Sequence, residues 1–406
     1  GNAIEKKGRQ SARPYMWAAV IGNLLLLIFY KYTGFLLKSL ADLLNIATVY
    51  SAPSLPLGIS FFTFTGISYI LDVYNGAEKT QKNLLRFTSY LIMFPKILQG
   101  PITRIGQVKN ELVNPRPVMV DVMQGTRRFI GGLAKKTLLA DPMGVATDKV
   151  FGTNFATLGA DVAWFGLIAY TLQIYLDFSG YTDMAIGLGQ MIGIKLPENF
   201  NFPYVSRSIS EFWRRWHMTL STWFRTYLFI PLEFARKREK VLRQQTNLLI
   251  VFFLTGLWHG ASWNFILWGS YFGVILAIEA SGWGRQLKKT PVFFQHLYSL
   301  ILIMLGWVFF RITSIGQWGP FLKALFGGNA SPASLTLFDL NILQFIPVAL
   351  VGILFCLPVL NQLEQKVSQR RGSARLAWDI GYLLLFVLSI TSILAKGSAP
   401  FIYAQF

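Results

Sequence analysis

The chain is short of charge and shorter still of acid: of 406 residues, 14% are charged, with 19 Asp and Glu against 38 Lys and Arg. Soluble domains carry about a quarter charged residues, so an ordinary water-facing domain is excluded. There is one cysteine, Cys356, which rules out an intrachain disulfide and a cysteine-built metal cluster. It lies in the apolar run Gly352 to Leu357, the usual setting of a buried thiol. The sequence contains no Gly-x-Ser-x-Gly elbow, His-Glu-x-x-His, P-loop or Cys-x-x-Cys. Those absences remove hydrolase elbows, zincins, nucleotide motors and thiol redox chemistry. No metal site is expected.

What is present is apolar: 53% hydrophobic residues, 15% aromatic, with a net charge of +19. That charge alone would suit a nucleic-acid binder, but the apolar content argues against it. The basic residues concentrate in Lys6 to Arg13, Arg104 to Lys136, Arg214 to Arg243, Arg285 to Lys289 and Lys366 to Arg375. Clusters of this kind between apolar stretches are the mark of loops held on the cytoplasmic side of a membrane.

Candidate spans, judged against a length of roughly 20 apolar residues, are Tyr15 to Leu37, Leu57 to Tyr74, Val162 to Phe178, Thr182 to Ile194, Leu248 to Trp258, Trp263 to Ala280, Leu297 to Ile312, Ile342 to Leu360 and Tyr382 to Leu394. With every basic cluster in the cytoplasm, the pairs Val162/Thr182, Leu248/Trp263 and Leu297/Ile342 each cross twice, and the C-terminus ends outside. Several spans are short and flanked by Gly or Pro, which suggests broken, tilted or re-entrant helices; Leu84 to Gly100 is one re-entrant candidate. The stretch 101–152 mixes apolar and basic residues and reads as amphipathic helices on the cytoplasmic face. No repeat or linker marks a second domain. The expectation is one all-α, polytopic membrane domain over 1–406, with a polar leader at 1–14 that lacks a signal-peptide pattern and reads as a processed or truncated end.

The three histidines can be weighed singly. His296 opens an apolar span, where an imidazole suits the membrane interface. His217 follows a capping-box spacing, Ser208 and Glu211, and at helical spacing shares a side with Trp213, Leu220 and Phe224. It is either part of an interfacial aromatic belt or an ionisable group facing an internal cavity. His259 sits where the apolar run Leu248 to Trp258 meets Gly260-Ala-Ser-Trp-Asn-Phe. An ionisable ring between two apolar spans is a functional-site candidate by default. Gly256 and Gly260 beside it would admit either a substrate or a neighbouring helix. Asp177 and Asp183 flank Gly180 beside apolar spans; buried carboxylates pair with Arg or His or serve a relay. Gly187, Gly189 and Gly193 read as helix-packing glycines. A histidine-centred site without a recognisable protein nucleophile remains, and an imidazole can act as general base on a bound hydroxyl.

Three motifs, Trp258-His259-Gly260-Ala261-Ser262-Trp263-Asn264-Phe265, Glu211-Phe212-Trp213-Arg214-Arg215-Trp216-His217 and Tyr175-Leu176-Asp177-Phe178-Ser179-Gly180-Tyr181, resemble those of the membrane-bound O-acyltransferases. Within that family the likeness is to the branch of the bacterial alginate O-acetyltransferase membrane subunit. Leu57 to Tyr74, Phe94 to Ile102, Pro197-Glu-Asn-Phe and Pro400-Phe-Ile-Tyr extend the likeness over most of the chain. The resemblance implies that His259 is the catalytic histidine and His217 its second histidine. It also implies a ring of tilted and re-entrant helices around a central tunnel.

On that resemblance the expected activity is acetyl transfer from acetyl-CoA, across a bacterial inner membrane, toward a cell-surface polysaccharide. His259 is the expected base, while Trp258, Trp263, Asn264, Trp213 and Ser262 are expected to line the pocket. Asp177 and Asp183 are expected to be structural or relay groups. The implied partners are an extracytoplasmic SGNH-type acetyltransferase, acyl-CoA and membrane lipid, with no nucleic acid. D-alanyl transfer from a carrier protein toward teichoic acids is the alternative within the enzymes. A polysaccharide or lipid transporter is the alternative outside them, and a scaffold for the secreted partner is a third.

Overall fold

The computed structural model describes all residues except 7, 48–49, 51–52, 240, 330–333, 369–371, 398 and 403–406. Parts of the first and last basic clusters, Lys240 of the Arg214 to Arg243 cluster, and Tyr403 of the terminal motif therefore lie outside the described residues. Within them the regular structure is helical, and the bridge between Leu158 and Leu335 is isolated. Among the described residues four helices are long and apolar enough to cross a membrane: Arg9–Leu44, Trp263–Leu287, Val292–Arg311 and Ser373–Ala395. They contain the expected spans that begin at Tyr15, Trp263 and Tyr382, and all but Ile312 of the one that begins at Leu297. Ile59–Tyr74 is a shorter apolar helix.

Three expected spans turn out differently. Ile342 to Leu360 is not one rod but the bent pair Leu343–Phe355 and Val359–Val367, which meet at 66°. Pro358 lies at the bend, where proline lacks the N–H and crowds the preceding turn. The two spans drawn at Val162 to Phe178 and Thr182 to Ile194 are a single helix, Ala160–Met191, of 32 residues. It therefore does not cross twice, and the parity drawn from that pair fails. Gly180 does not break this helix because its missing side chain makes room for another one. A Cβ there would lie 2.8 Å from the Gly132 carbonyl oxygen and 3.2 Å from the Lys135 Cβ. Gly187 serves the same crossing: its Cβ would lie 2.8 Å from the Phe129 nitrogen.

Gly193 is a helix stop as well as a point of close approach, where a Cβ would lie 2.9 Å from the Pro117 nitrogen. It takes φ +79°, its N–H donates to the Gln190 carbonyl at 3.1 Å, and the Ile194 N–H donates to the Gly189 carbonyl at 2.7 Å. That pair of bonds is the Schellman arrangement, which needs a left-handed residue at the helix end.

Met119–Ala134, a π turn at Lys135–Ala140 and Asp141–Phe151 follow one another and run along the long helix. Around these elements lies an aromatic interior in which Trp216, Trp268, Trp307, Phe178, Phe212 and Phe272 are fully buried. Their rings meet both edge to face, as Trp268 with Phe272 does at 5.4 Å, and stacked, as Phe212 with Trp216 does at 5.5 Å, arrangements that ring quadrupoles prefer to a face-to-face sandwich. This interior surrounds two of the three histidines.

Candidate active site

His259 is the last residue of the helix Arg243–His259, whose chain leaves the helix at Gly260 in extended conformation (φ −169°, ψ 153°). The next helix starts at Trp263 and doubles back along the first. Their close approach is made by Gly256 and Gly269; a Cβ on Gly256 would lie 3.1 Å from the Gly269 Cα. Gly260 abuts the Phe265 ring. Both glycines therefore admit close protein neighbours. At the end of this hairpin the His259 ring is 3% exposed. It is edge-on to Trp258 at 4.9 Å, Trp268 at 4.8 Å and Phe310 at 5.4 Å.

The expected helix does begin at Ser208, whose hydroxyl accepts from the Glu211 N–H at 3.1 Å. The Glu211 carboxylate reaches back to the Arg207 N–H at 3.0 Å. The helix ends at Arg215, however, and a second one starts at Met218. His217 lies between them at φ +43° and ψ +54°, a left-handed conformation that costs an L-residue about 1–2 kcal/mol. It is therefore not on a continuous helical face with Trp213, Leu220 and Phe224, as the spacing suggested.

Asn199 holds this break in place. Its Oδ1 accepts from the Thr219 N–H at 3.2 Å and the Thr219 hydroxyl at 2.9 Å, and lies 3.1 Å from His217 Nδ1. The backbone N–H of Thr219 can only donate, so the Asn199 group facing it is the amide oxygen. An amide oxygen only accepts, so Nδ1 of His217 carries the proton and donates. The neutral ring then keeps its lone pair on Nε2. That nitrogen is buried with no hydrogen-bond partner among the described residues. The fixed tautomer makes His217 Nε2 an acceptor for a hydroxyl brought into the site.

Trp258 joins the two histidines. Its ring lies 6.1 Å from His217 and 4.9 Å from His259, and it stacks on Phe64 at 5.4 Å. Phe178 meets His217 edge-on at 4.8 Å. Trp213 stands one ring further out, 5.8 Å from Trp268. Asn264 is fully buried and donates weakly to the Phe309 carbonyl at 3.4 Å. Ser262 is half-buried and starts the Trp263 helix without a side-chain cap bond.

Trp263 departs from expectation. It is 54% exposed and touches Phe35 at 5.5 Å, on the outside of the helix. In its place Trp268, one turn beyond Asn264 on the inner face, packs on His259. The helical spacing from Asn264 to Trp268 was the available signal.

Both carboxylates are members of ion pairs. Asp177 accepts from Lys136 Nζ at 2.8 Å and from the Ile402 N–H at 2.8 Å; Lys136 also faces Asp141 at 2.7 Å. Asp183 pairs with Lys135 at 2.6 Å and Arg128 at 3.0 Å. Glu279, which sequence reasoning passed over, is a buried carboxylate that accepts from the Ile209 and Ser210 N–H groups at 2.8 Å each. It sits at the positive end of the Ile209–Arg215 helix, and so orients the segment leading to His217. His296 lies apart, with Nδ1 3.2 Å from the Ser206 carbonyl. No group of three or more His, Cys, Asp or Glu side chains that could hold a metal occurs among the described residues. Beside the His217 segment is a cavity of about 240 Å³, lined in part by Ile102, Arg104, Met218, Thr219 and Tyr227.

This arrangement offers chemistry without a nucleophilic serine or cysteine: two buried imidazoles, one with a fixed tautomer, on either side of an indole. The sequence comparisons agree with it. The model of the membrane-bound O-acyltransferase family matches residues 76–315. A probable alginate O-acetylase of Azotobacter vinelandii is 35% identical over 98% of this chain and 86% of its own length. A peptidoglycan O-acetyltransferase of Helicobacter pylori is 32% identical over 97% of this chain and 82% of its own. A teichoic acid D-alanyltransferase of Bacillus subtilis is 32% identical over 58% of this chain and 62% of its own. The helical spans, the paired histidines and these matches together place the chain among multi-pass O-acyltransferases, and it belongs to the membrane-bound O-acyltransferase family.

Proposed function

We propose that this enzyme transfers an acetyl group from acetyl-CoA, in a bacterial inner membrane, for O-acetylation of a cell-surface or secreted polysaccharide. His259 is the general base. It takes the proton of an acceptor hydroxyl as that oxygen attacks the thioester carbonyl. The tetrahedral adduct collapses to the ester and expels the thiolate of coenzyme A, which leaves with a proton. His217, through its Nε2 lone pair, receives the acceptor hydroxyl and orients it. Trp258 Nε1–H, buried without a protein acceptor among the described residues, is available to the developing oxyanion, and such donors are worth most in a water-poor site.

The observation that carries this reading is the burial of both histidines around Trp258. It is supported by relatives named for O-acetylation that match nearly the whole chain. Transfer onward to the polysaccharide is assigned to an extracytoplasmic SGNH-type partner.

D-alanyl transfer is the second reading, because the teichoic acid D-alanyltransferase match covers 58% of the chain. Inverted membrane vesicles separate the two. Labelled acetyl-CoA should be consumed with release of free thiol, whereas a D-alanyl carrier protein should not be discharged. The reverse result would replace the proposal with the second reading.

A further inference from the structure

The helix Arg243–His259 ends inside the protein, and the last four carbonyls of any helix lack partners within it. Three of those four, at Leu257, Trp258 and His259, are taken up by two consecutive side chains of the first spanning helix, more than 220 positions away in sequence. Tyr32 donates its hydroxyl to the Leu257 carbonyl at 2.6 Å. Lys31 Nζ donates to the Trp258 carbonyl at 2.6 Å and the His259 carbonyl at 3.2 Å. The third ammonium proton is directed to Ser60 Oγ at 3.5 Å. The same ammonium lies 5.8 Å from the centre of the Trp258 ring, within cation–π range.

Lys31 and Tyr32 close a π turn, Ile28–Tyr32, inside an otherwise α-helical rod. The hydroxyl of Thr33 partly satisfies the Ile28 carbonyl there, at 3.3 Å. Such turns carry an extra residue and concentrate at functional sites. Here the turn supplies two adjacent donors to one helix end.

From this geometry we infer that Lys31 and Tyr32 are positioning residues for acyl transfer, a clamp that fixes the backbone of Trp258 and His259 and hence the aim of the His259 ring. The inference rests on the reading of His259 as the base. Three physical effects combine in the clamp. It satisfies carbonyls that lie away from water. It sets a cation against the negative end of the His259 helix. It also leaves the peptide planes on both sides of His259 little freedom to tilt. Displacement of a catalytic group by about 1 Å costs up to 100-fold in rate.

The test uses the full chain in membrane vesicles supplied with labelled acetyl-CoA, with kcat and KM normalised to folded protein. Five variants are compared: Lys31→Met, Lys31→Arg, Tyr32→Phe, His259→Ala, and Lys38→Met as a control at an exposed lysine of the same helix. Lys31→Met should lower kcat about 10- to 100-fold with KM for acetyl-CoA little changed, and Lys31→Arg should recover part of the loss. Tyr32→Phe, which removes one oxygen only, should lower kcat less, and it carries the test should Lys31→Met fail to accumulate. Lys38→Met should match the wild type. Wild-type kcat in both Lys31→Met and Tyr32→Phe, with His259→Ala inactive, overturns the clamp and leaves the base in place. Wild-type kcat in His259→Ala overturns the base itself, and the clamp with it.

Discussion

Replacing Asn199 with Ala removes one carbonyl oxygen on which three donors converge. Two of them are rigid: the Thr219 N–H at 3.2 Å and the His217 Nδ1–H at 3.1 Å. Each buried donor left without a partner costs about 1–3 kcal/mol. The Thr219 hydroxyl can rotate and loses less. Against this, the His217 backbone can relax from φ +43°, which recovers about 1–2 kcal/mol. At the midpoints of these ranges the net loss is about 2–3 kcal/mol, and the greater effect is on chemistry. Without Asn199 nothing holds the proton on Nδ1, so the Nε2 lone pair is no longer assured and the ring is free to turn. Activity per folded molecule should fall about 10- to 100-fold. Thermal unfolding of the detergent-purified variant gives the stability change, and acetyl transfer in vesicles gives the rate. Asn201→Ala, an exposed position two residues on, should stay within about 0.5 kcal/mol of wild type. An Asn199→Ala variant with wild-type melting and full activity would refute both the bonding and the tautomer assignment.

Trp268→Ala should abolish transfer, because it removes a ring packed on His259 at 4.8 Å. Trp263→Ala should leave the rate per folded molecule unchanged; equal losses in the two would show that the outer tryptophan reaches the site. Asp177→Asn breaks the ion pair with Lys136, yet Asp141 still faces that lysine at 2.7 Å. The loss should therefore fall below the about 3–5 kcal/mol of a wholly uncompensated buried charge. Transfer by the remaining folded Asp177→Asn enzyme should be intact; a rate collapse at normal melting temperature would instead make Asp177 a relay.

The sequence announces the class of fold through apolar runs separated by basic clusters, and it singles out His259 because an ionisable ring between two such runs is costly. It misplaces boundaries wherever glycine has two meanings. Gly180 looked like a break between spans, yet it is the point where two helices touch; nothing local distinguishes the cases, since the deciding atom is the Gly132 carbonyl of another helix. His217 was recognised as a residue but given the wrong backbone. A left-handed histidine is disfavoured locally, and it is held by Asn199, 18 positions away. Trp263 and Trp268 differ only in which face of one helix they occupy, and in a helix this apolar all round the spacing of Trp268 from the polar Asn264 is the phase marker. Lys31 resembles any lysine near a span, because its partners are backbone carbonyls of a distant helix and carbonyls leave no trace in a sequence.

Whether His259 is the base of an acyl transfer is decided by single-turnover transfer from labelled acetyl-CoA in vesicles carrying His259→Ala, with folded protein matched to wild type. With the base removed, acetyl-CoA should still bind while no acetyl group leaves it. Wild-type transfer at matched folded protein would contradict that role for His259.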